Sequence, residues 1–262
     1  MAVSHRGAIS FGLVHIPVGL YTATRDNDIH FNQLCKDDHS RVRYKKVCAS
    51  CGKEVKNTDI VKGFEYDDGK YVVVTDEDFE KIKTEKDKSI QIIQFADLST
   101  IRPIYYDKTY HALPETGGEK AFELLRRAMH EEQKVAVAKT VMGNKETLLA
   151  LIPTDDGILI ETMFFADEIK DKPKDVPRPD VSEAELSMAK QLIGTMVKPF
   201  EPAAYKDEYQ ERLKALIEQK IAGKEIVAPA PENEGNIISL EEALLASLNQ
   251  NKPKKSRKSR GA

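Results

Sequence analysis

The sequence predicts an α+β protein rich in β structure, with a barrel or sandwich at its centre and helices gathered towards the C-terminus. Three observations carry this. Short apolar-alternating segments recur through the first two-thirds of the chain. Turn signals such as Asp67-Asp68-Gly69 and Asp155-Asp156-Gly157 separate neighbours at hairpin spacing. Helical periodicity dominates only after the proline-rich break DKPKDVPRPD at 171–180.

Residues 8–24 place apolar side chains at Ile9, Phe11 and Leu13, then at Val14, Ile16, Val18 and Leu20. A period of two that changes phase near Gly12 predicts a strand with a bulge. Further strands are expected at 41–47, 61–66, 70–75, 89–95, 103–112, 134–142, 147–152 and 157–165. A helix follows Thr116, whose spacing to Glu119 matches a capping box, with Phe122, Leu125, Arg126 and Met129 at helical intervals. Ser182 and Glu185 open a second helix, striped by Leu186, Ala189, Ile193, Met196 and Val197. After Pro199 and Pro202 a third helix carries Tyr205, Tyr209, Leu213, Leu216, Ile217 and Ile221 and stops at Gly223. APAPENEGN at 228–236 is a linker. The division expected is a core at 1–180, helices at 181–227, and then a linker, a short helix at 239–249 and a disordered basic tail over 228–262. No internal repeat is visible.

With 262 residues, 40% of them hydrophobic, the chain is long enough for one large core. No apolar run approaches a membrane span and the N-terminus has no signal-peptide pattern, so a cytoplasmic protein is expected. Three cysteines do not suggest a disulfide framework. The net charge of −3 conceals an asymmetry. The tail from Asn251 holds six basic residues, Lys252, Lys254, Lys255, Arg257, Lys258 and Arg260, and no acid. Setting these aside leaves 34 basic against 43 acidic residues. An acidic body with local basic segments fits a polyanion held at a particular place, or a tail that serves solubility.

Residues 41–62 contain Arg41, Arg43, Lys45, Lys46, Lys53, Lys56 and Lys62 against only Glu54 and Asp59. On a strand, Arg41, Arg43 and Lys45 would share one face about 6.6 Å apart, comparable to backbone phosphates. The same pattern also suits a solvated edge strand that uses charge against aggregation. Within this stretch Cys48-Ala-Ser-Cys51-Gly52 has zinc-knuckle spacing, and Cys35 and His39 lie upstream. Together they make a C-x3-H-x8-C-x2-C candidate for a structural Cys3His zinc ion, the alternative being a metal-free turn with incidental thiols.

No phosphate-binding glycine loop, dinucleotide fingerprint or nucleophile elbow is present. His130-Glu131-Glu132 begins like a metalloprotease helix, but Lys134 stands where the second histidine belongs. A non-catalytic protein is therefore expected. A zinc-dependent nucleic-acid enzyme and a general DNA- or RNA-packaging protein are the alternatives.

The order of ISFGLVHIPVGLYTAT, RVRYKKVC with IVKGFEYDDGKYVVVTDED, KAFELLRRAM with KVAVAKTVM and LLALIP, and FEPAAYKDEYQERLKALIEQKIAGKE resembles the bacterial Ku proteins over roughly residues 3–225. The resemblance implies a Ku-type β-barrel core with a bridge, helical arms and a small helical C-terminal domain. It also implies a homodimeric ring that threads onto double-stranded DNA ends without reading bases. Such a ring serves non-homologous end joining, a form of DNA repair, and recruits the ATP-dependent DNA ligase D. On this reading the nucleic-acid-binding residues are Arg41, Arg43, Lys45, Lys46, Lys53 and Lys56 in the bridge, with Lys254, Lys255, Arg257, Lys258 and Arg260 in the tail. Tyr205, Tyr209, Leu213 and Leu216 are the candidates for ligase contact, and Cys35, His39, Cys48 and Cys51 for zinc. The protein would sit in the cytoplasm on the nucleoid, without a membrane partner.

Overall fold

The structure, a computed structural model, describes residues 2–82, 89–143, 145–173, 176–223, 243–245 and 247. It divides into two compact units, Met1–Lys172 and Pro173–Ala262.

Among its described residues the first unit holds nine strands: β1 (His5–Phe11), β2 (Val14–Thr22), β3 (Lys62–Asp67), β4 (Lys70–Val74), β5 (Ile90–Asp97), β6 (Tyr106–Pro114), β7 (Lys134–Met142), β8 (Lys145–Pro153) and β9 (Ile158–Met163). Seven of them close into a barrel in the order β1-β2-β6-β9-β8-β7-β5, while β3 and β4 form a separate ribbon. Seven strands that alternate in direction must leave one parallel pair on closure. That pair is β1 with β5, where Ile9 faces Ile90 and Ser10 faces Gln91. Closure removes the free edges that an open sheet would expose.

Alternation along the strands fills the interior. Ile9 on β1, Ile16, Val18 and Leu20 on β2, Leu149 and Leu151 on β8, and Ile158 and Ile160 on β9 form one buried cluster. The expected bulge near Gly12 is instead a chain reversal. Phe11 pairs with Val14, leaving Gly12-Leu13 as a two-residue hairpin turn with Gly12 at φ 59°. The phase change in the pattern is the hairpin itself, because a tight primed turn needs a positive φ that glycine supplies without strain.

Helix α2 (Glu119–Glu131), which follows the seven-residue helix α1 (Asp76–Ile82), adds Phe122, Leu125 and Met129 to the same cluster. The capping box expected at Thr116 does not form. Gly118 takes the cap position, and Glu119 Oε2 accepts the Gly117 N–H at 2.8 Å. The reason is steric. The Glu115 N–H donates to Pro17 O at 2.8 Å, bringing the helix start onto β2. A Cβ on Gly118 would then lie 2.9 Å from Pro17 Cδ and 3.0 Å from Pro17 O. Arg126 Nη1 donates to Thr154 O at 2.7 Å and ties α2 to the β8–β9 turn. Glu123 brackets Arg126 and Arg127, and hydrogen bonds from these two guanidinium groups hold its carboxyl down at about 2.

Between β2 and β5 the chain leaves the barrel. From Ala23 to Ile82 no residue is buried. This arm contains two short turns, the β3–β4 ribbon and α1.

In the second unit α3 (Glu183–Met196) opens on the expected capping box. Ser182 Oγ accepts the Glu185 N–H, and Glu185 Oε2 accepts the Ser182 N–H at 2.8 Å. α4 (Glu208–Ile221) is capped by Asp207, whose Oδ1 accepts the Gln210 N–H at 2.9 Å, and Gly223 at φ 68° lies just past its end. Tyr205 does not lie on α4 as expected. It follows the turn Pro202–Ala204, because Pro202 starts a separate short 3-10 segment. Among the described residues of α3 and α4 none is buried. Residues 243–245 and 247 are helical, and the rest of the expected helix at 239–249 lies outside the described residues.

Candidate nucleic-acid interface

The segment 41–47 is not a strand. Arg41 bridges to Leu34 and Val47 to Glu54, so the two ends of the segment belong to two different turns. Residues 43–45 have no backbone partner among the described residues, and without a continuous ladder nothing fixes alternate side chains on one face. The basic residues are exposed nonetheless. Arg41 Nη2 donates to Asn32 Oδ1 at 2.8 Å, Lys45 pairs with Glu54 at 2.7 Å, and the Tyr44 hydroxyl donates to Gln33 Oε1. Arg43, Lys46, Lys53 and Lys56 have no ion-pair partner among the described residues. Pairing is common elsewhere: Lys134, Lys139 and Lys145 on the barrel are matched by Asp97, Glu146 and Glu168, and Lys62, Lys70 and Lys81 in the arm by Asp76, Asp67 and Asp78. An exposed ion pair contributes only ~0–1 kcal/mol, so such pairing is a weak stabiliser. What it decides here is availability: Arg43, Lys46, Lys53 and Lys56 are free to meet an anion.

Two turns flank this segment and repeat one another. In the first, the Cys35 N–H donates to Ser40 O at 2.8 Å and the His39 N–H to Cys35 O at 2.9 Å. In the second, the Cys48 N–H donates to Lys53 O at 2.9 Å and the Gly52 N–H to Cys48 O at 2.9 Å. The bridges Leu34–Arg41 and Val47–Glu54 close them, and the Val42 N–H to Gln33 O and Val55 N–H to Lys46 O bonds extend them.

The side chains inside each turn follow the same plan. N–H groups of Cys51 and Ser50, and then the Cys51 side chain, hydrogen-bond to Cys48 and hold its thiol below the usual range. The backbone and hydroxyl of Ser40, followed by the Cys35 thiol, lower the Asp38 carboxyl. Donors aimed at a sulfur or a carboxylate favour the anionic form that binds metal. The structure thus brings Cys48 together with Cys51, and Cys35 together with Asp38. It does not converge Cys35, His39, Cys48 and Cys51 on one point: among the described residues no three His, Cys, Asp or Glu side chains form a metal-holding group. The donor types suit zinc, but they stand as two pairs. Asp38, not among the candidates read from the sequence, stands in the first turn where Cys51 stands in the second.

The candidate ligase contacts divide in two. Tyr205 and Tyr209 are exposed, Tyr205 stacking on Phe200 with ring centroids 5.5 Å apart, whereas Leu213 and Leu216 are half-buried. Lys254, Lys255, Arg257, Lys258 and Arg260 lie outside the described residues. Among the described residues no helix is long and apolar enough to cross a membrane.

A closed seven-stranded barrel, interrupted between β2 and β5 by a long segment without a buried residue, defines a β-barrel protein with an extended arm. The chain belongs to the Ku family. The family model described as the Ku70/Ku80 beta-barrel domain matches residues 10–188. The chain is 65% identical over 246 residues to the "Non-homologous end joining protein Ku" of Lachnoclostridium phytofermentans, covering 94% of this chain and 96% of that one. It is 44% identical over 252 residues to the protein of the same name from Archaeoglobus fulgidus, covering 95% and 98%. Against the Desulfitobacterium hafniense protein of that name identity is 42%, covering 95% and 88%.

Proposed function

We propose that the protein binds double-stranded DNA ends in non-homologous end joining, as a homodimeric ring without catalytic activity, in the cytoplasm on the nucleoid. The observation that carries this reading is the arm from Ala23 to Ile82. It has no buried residue, and it carries Arg43, Lys46, Lys53 and Lys56 unmatched by carboxylates. A segment this long without a core needs another surface to order it, and bare cations favour a polyanion. Exposed Phe64, Tyr66, Tyr71 and Val73 on the β3–β4 ribbon support a second copy of the chain as part of that cover. Contacts to phosphate alone give affinity independent of base sequence, and threading through a ring gives preference for an open end.

Ligase D recruitment through Tyr205, Tyr209, Leu213 and Leu216 belongs to the same reading, as does phosphate contact by the basic tail. A structural zinc ion would brace the arm; it would be held by cysteines and would not touch DNA. Its chemistry there is to fix the fold by tetrahedral ligation.

The test is competition in a gel shift between a linear duplex and a relaxed covalently closed circle of the same sequence. The linear form should compete strongly and the circle weakly. Equal competition removes the ring, and cleavage of the labelled duplex on adding metal removes the non-catalytic assignment.

A further inference from the structure

Where the backbone of the basic segment has no ladder, its side chains hold it. Arg41 Nη2 donates to Asn32 Oδ1 at 2.8 Å, and the Tyr44 hydroxyl donates to Gln33 Oε1. Gln33 is itself fixed, since its carbonyl accepts the Val42 N–H at 3.0 Å. On the other side Lys45 Nζ reaches Glu54 Oε2 at 2.7 Å. Between the unmatched cations Arg43 and Lys46 stands Tyr44. It is 81% exposed, more than any other aromatic side chain among the described residues. We infer that Tyr44 contacts DNA directly, its ring lying against a deoxyribose between phosphates taken by Arg43 and Lys46. The inference rests on the DNA-end reading and adds to it a contact that carries no charge.

Three observations support the assignment. First, the ring is bare yet positioned. Other aromatic side chains have ring or cation neighbours: Phe11 with Phe95, Phe200 with Tyr205, and Phe79, Tyr105 and Phe165 beneath Lys62, Arg102 and Lys139. Tyr44 has neither among the described residues, and its hydroxyl is already satisfied by Gln33. A ring held in place before binding loses less freedom on meeting a surface.

Second, the charge around it selects the surface. Arg43 and Lys46 have no ion-pair partner among the described residues, and Glu54, the acid nearest in sequence, already engages Lys45. A strand of DNA supplies both needs at once, because an apolar sugar lies between each phosphate and the next.

Third, the sugar is the partner that matches a clamp indifferent to sequence. In a duplex the faces of the bases are stacked and only their edges reach the grooves. The sugars present the same C–H surface at every step, so a ring that packs on them adds affinity without reading bases.

The test uses the full chain and a blunt linear duplex, with affinity followed by fluorescence titration at several salt concentrations. One ring face laid on a sugar removes on the order of 50 Å² of apolar surface from water, so Tyr44→Ala should weaken binding about 5–10-fold. The slope of log K against log salt should not change, whereas Arg43→Ala should lower it. Tyr44→Phe keeps the ring and loses only the bond to Gln33, so it should stay within about 2-fold of the parent. Both Tyr44 variants should unfold at the parent's midpoint, because the side chain is exposed. Full affinity in Tyr44→Ala, a slope change equal to that of Arg43→Ala, or a loss in Tyr44→Phe as large as in Tyr44→Ala each overturns the sugar contact. A loss seen only on duplexes with single-stranded overhangs assigns the ring to unpaired bases and overturns it too. So does a Tyr44→Ala chain that sediments with fewer subunits than the parent, which assigns the ring to a second copy. A parent chain that binds no duplex end removes the end-binding reading and this contact with it, whereas a binding parent with an unaffected Tyr44→Ala removes this contact alone.

Discussion

His39 and Gly52 hold the same place in two successive turns, with φ of 55° and 67° and the same bond back to the cysteine four residues earlier. One is a candidate ligand by spacing and the other a turn glycine by type, yet the backbone treats them alike. That equivalence organises the arm. The free cations Lys53 and Lys56 sit at the end of the second turn and beyond it, and Arg43 and Lys46 lie between the turns.

Arm cations without partners should contribute more to DNA affinity than the paired one. Substituting Arg43, Lys46, Lys53 and Lys56 with Ala should each lower the slope of log K against log salt by up to ~0.9, the value for one phosphate contact. Lys45→Ala should lower it less, because Glu54 already engages that ammonium. Fluorescence titrations at several salt concentrations measure this, and equal slopes for Lys45 and Arg43 variants would contradict the ranking.

Gly118→Ala should destabilise the barrel. The new methyl would meet Pro17 Cδ at 2.9 Å and its carbonyl at 3.0 Å, so β2 or the start of α2 must move. Overpacking of this kind costs about 1–3 kcal/mol. Urea unfolding should show a lower midpoint with an unchanged slope.

Acid should weaken the attachment of α2 through Glu123. Its folded carboxyl sits at about 2, held down by hydrogen bonds from Arg126 and Arg127, whereas an unfolded glutamate titrates near ~4.3. A depressed carboxyl stabilises the fold above the unfolded value and loses that contribution as pH falls through the folded one. Stability should therefore be level above about pH 5 in respect of this group and fall towards pH 2. In Glu123→Gln that part of the acid limb should be missing when thermal midpoints are followed against pH.

The two kinds of candidate ligase contact should separate. Tyr209 is 66% exposed, so Tyr209→Ala should leave the unfolding free energy within ~0.5 kcal/mol of the parent while reducing ligase pull-down. Leu213, half-buried, should lower stability when cut to Ala. A normal pull-down with Tyr209→Ala would place the ligase contact elsewhere.

Much of the barrel was legible because strands leave a period of two that residues such as Ile16, Val18 and Leu20 display directly. Segment 41–47 shows the same alternation but pairs only at its two ends, with two different turns, and such pairing is not carried by a local pattern. Gly12 misled for a related reason: a bulge and a tight hairpin both shift the phase. The spacing of Cys48 and Cys51 marked a tight turn, but that the turn at Cys35 repeats it was not legible, because the repeat lies in backbone hydrogen bonds and only one cysteine is shared in register by the two turns.

The central claim is that the protein encircles DNA entered from an end. Its most direct measurement is a trapping experiment. Protein is loaded on a linear duplex, the ends are ligated into a circle, and salt is raised to a level that strips the unligated sample. The account predicts that protein remains on the closed circle and leaves once a restriction enzyme reopens it. Equal loss from circle and linear duplex would contradict it.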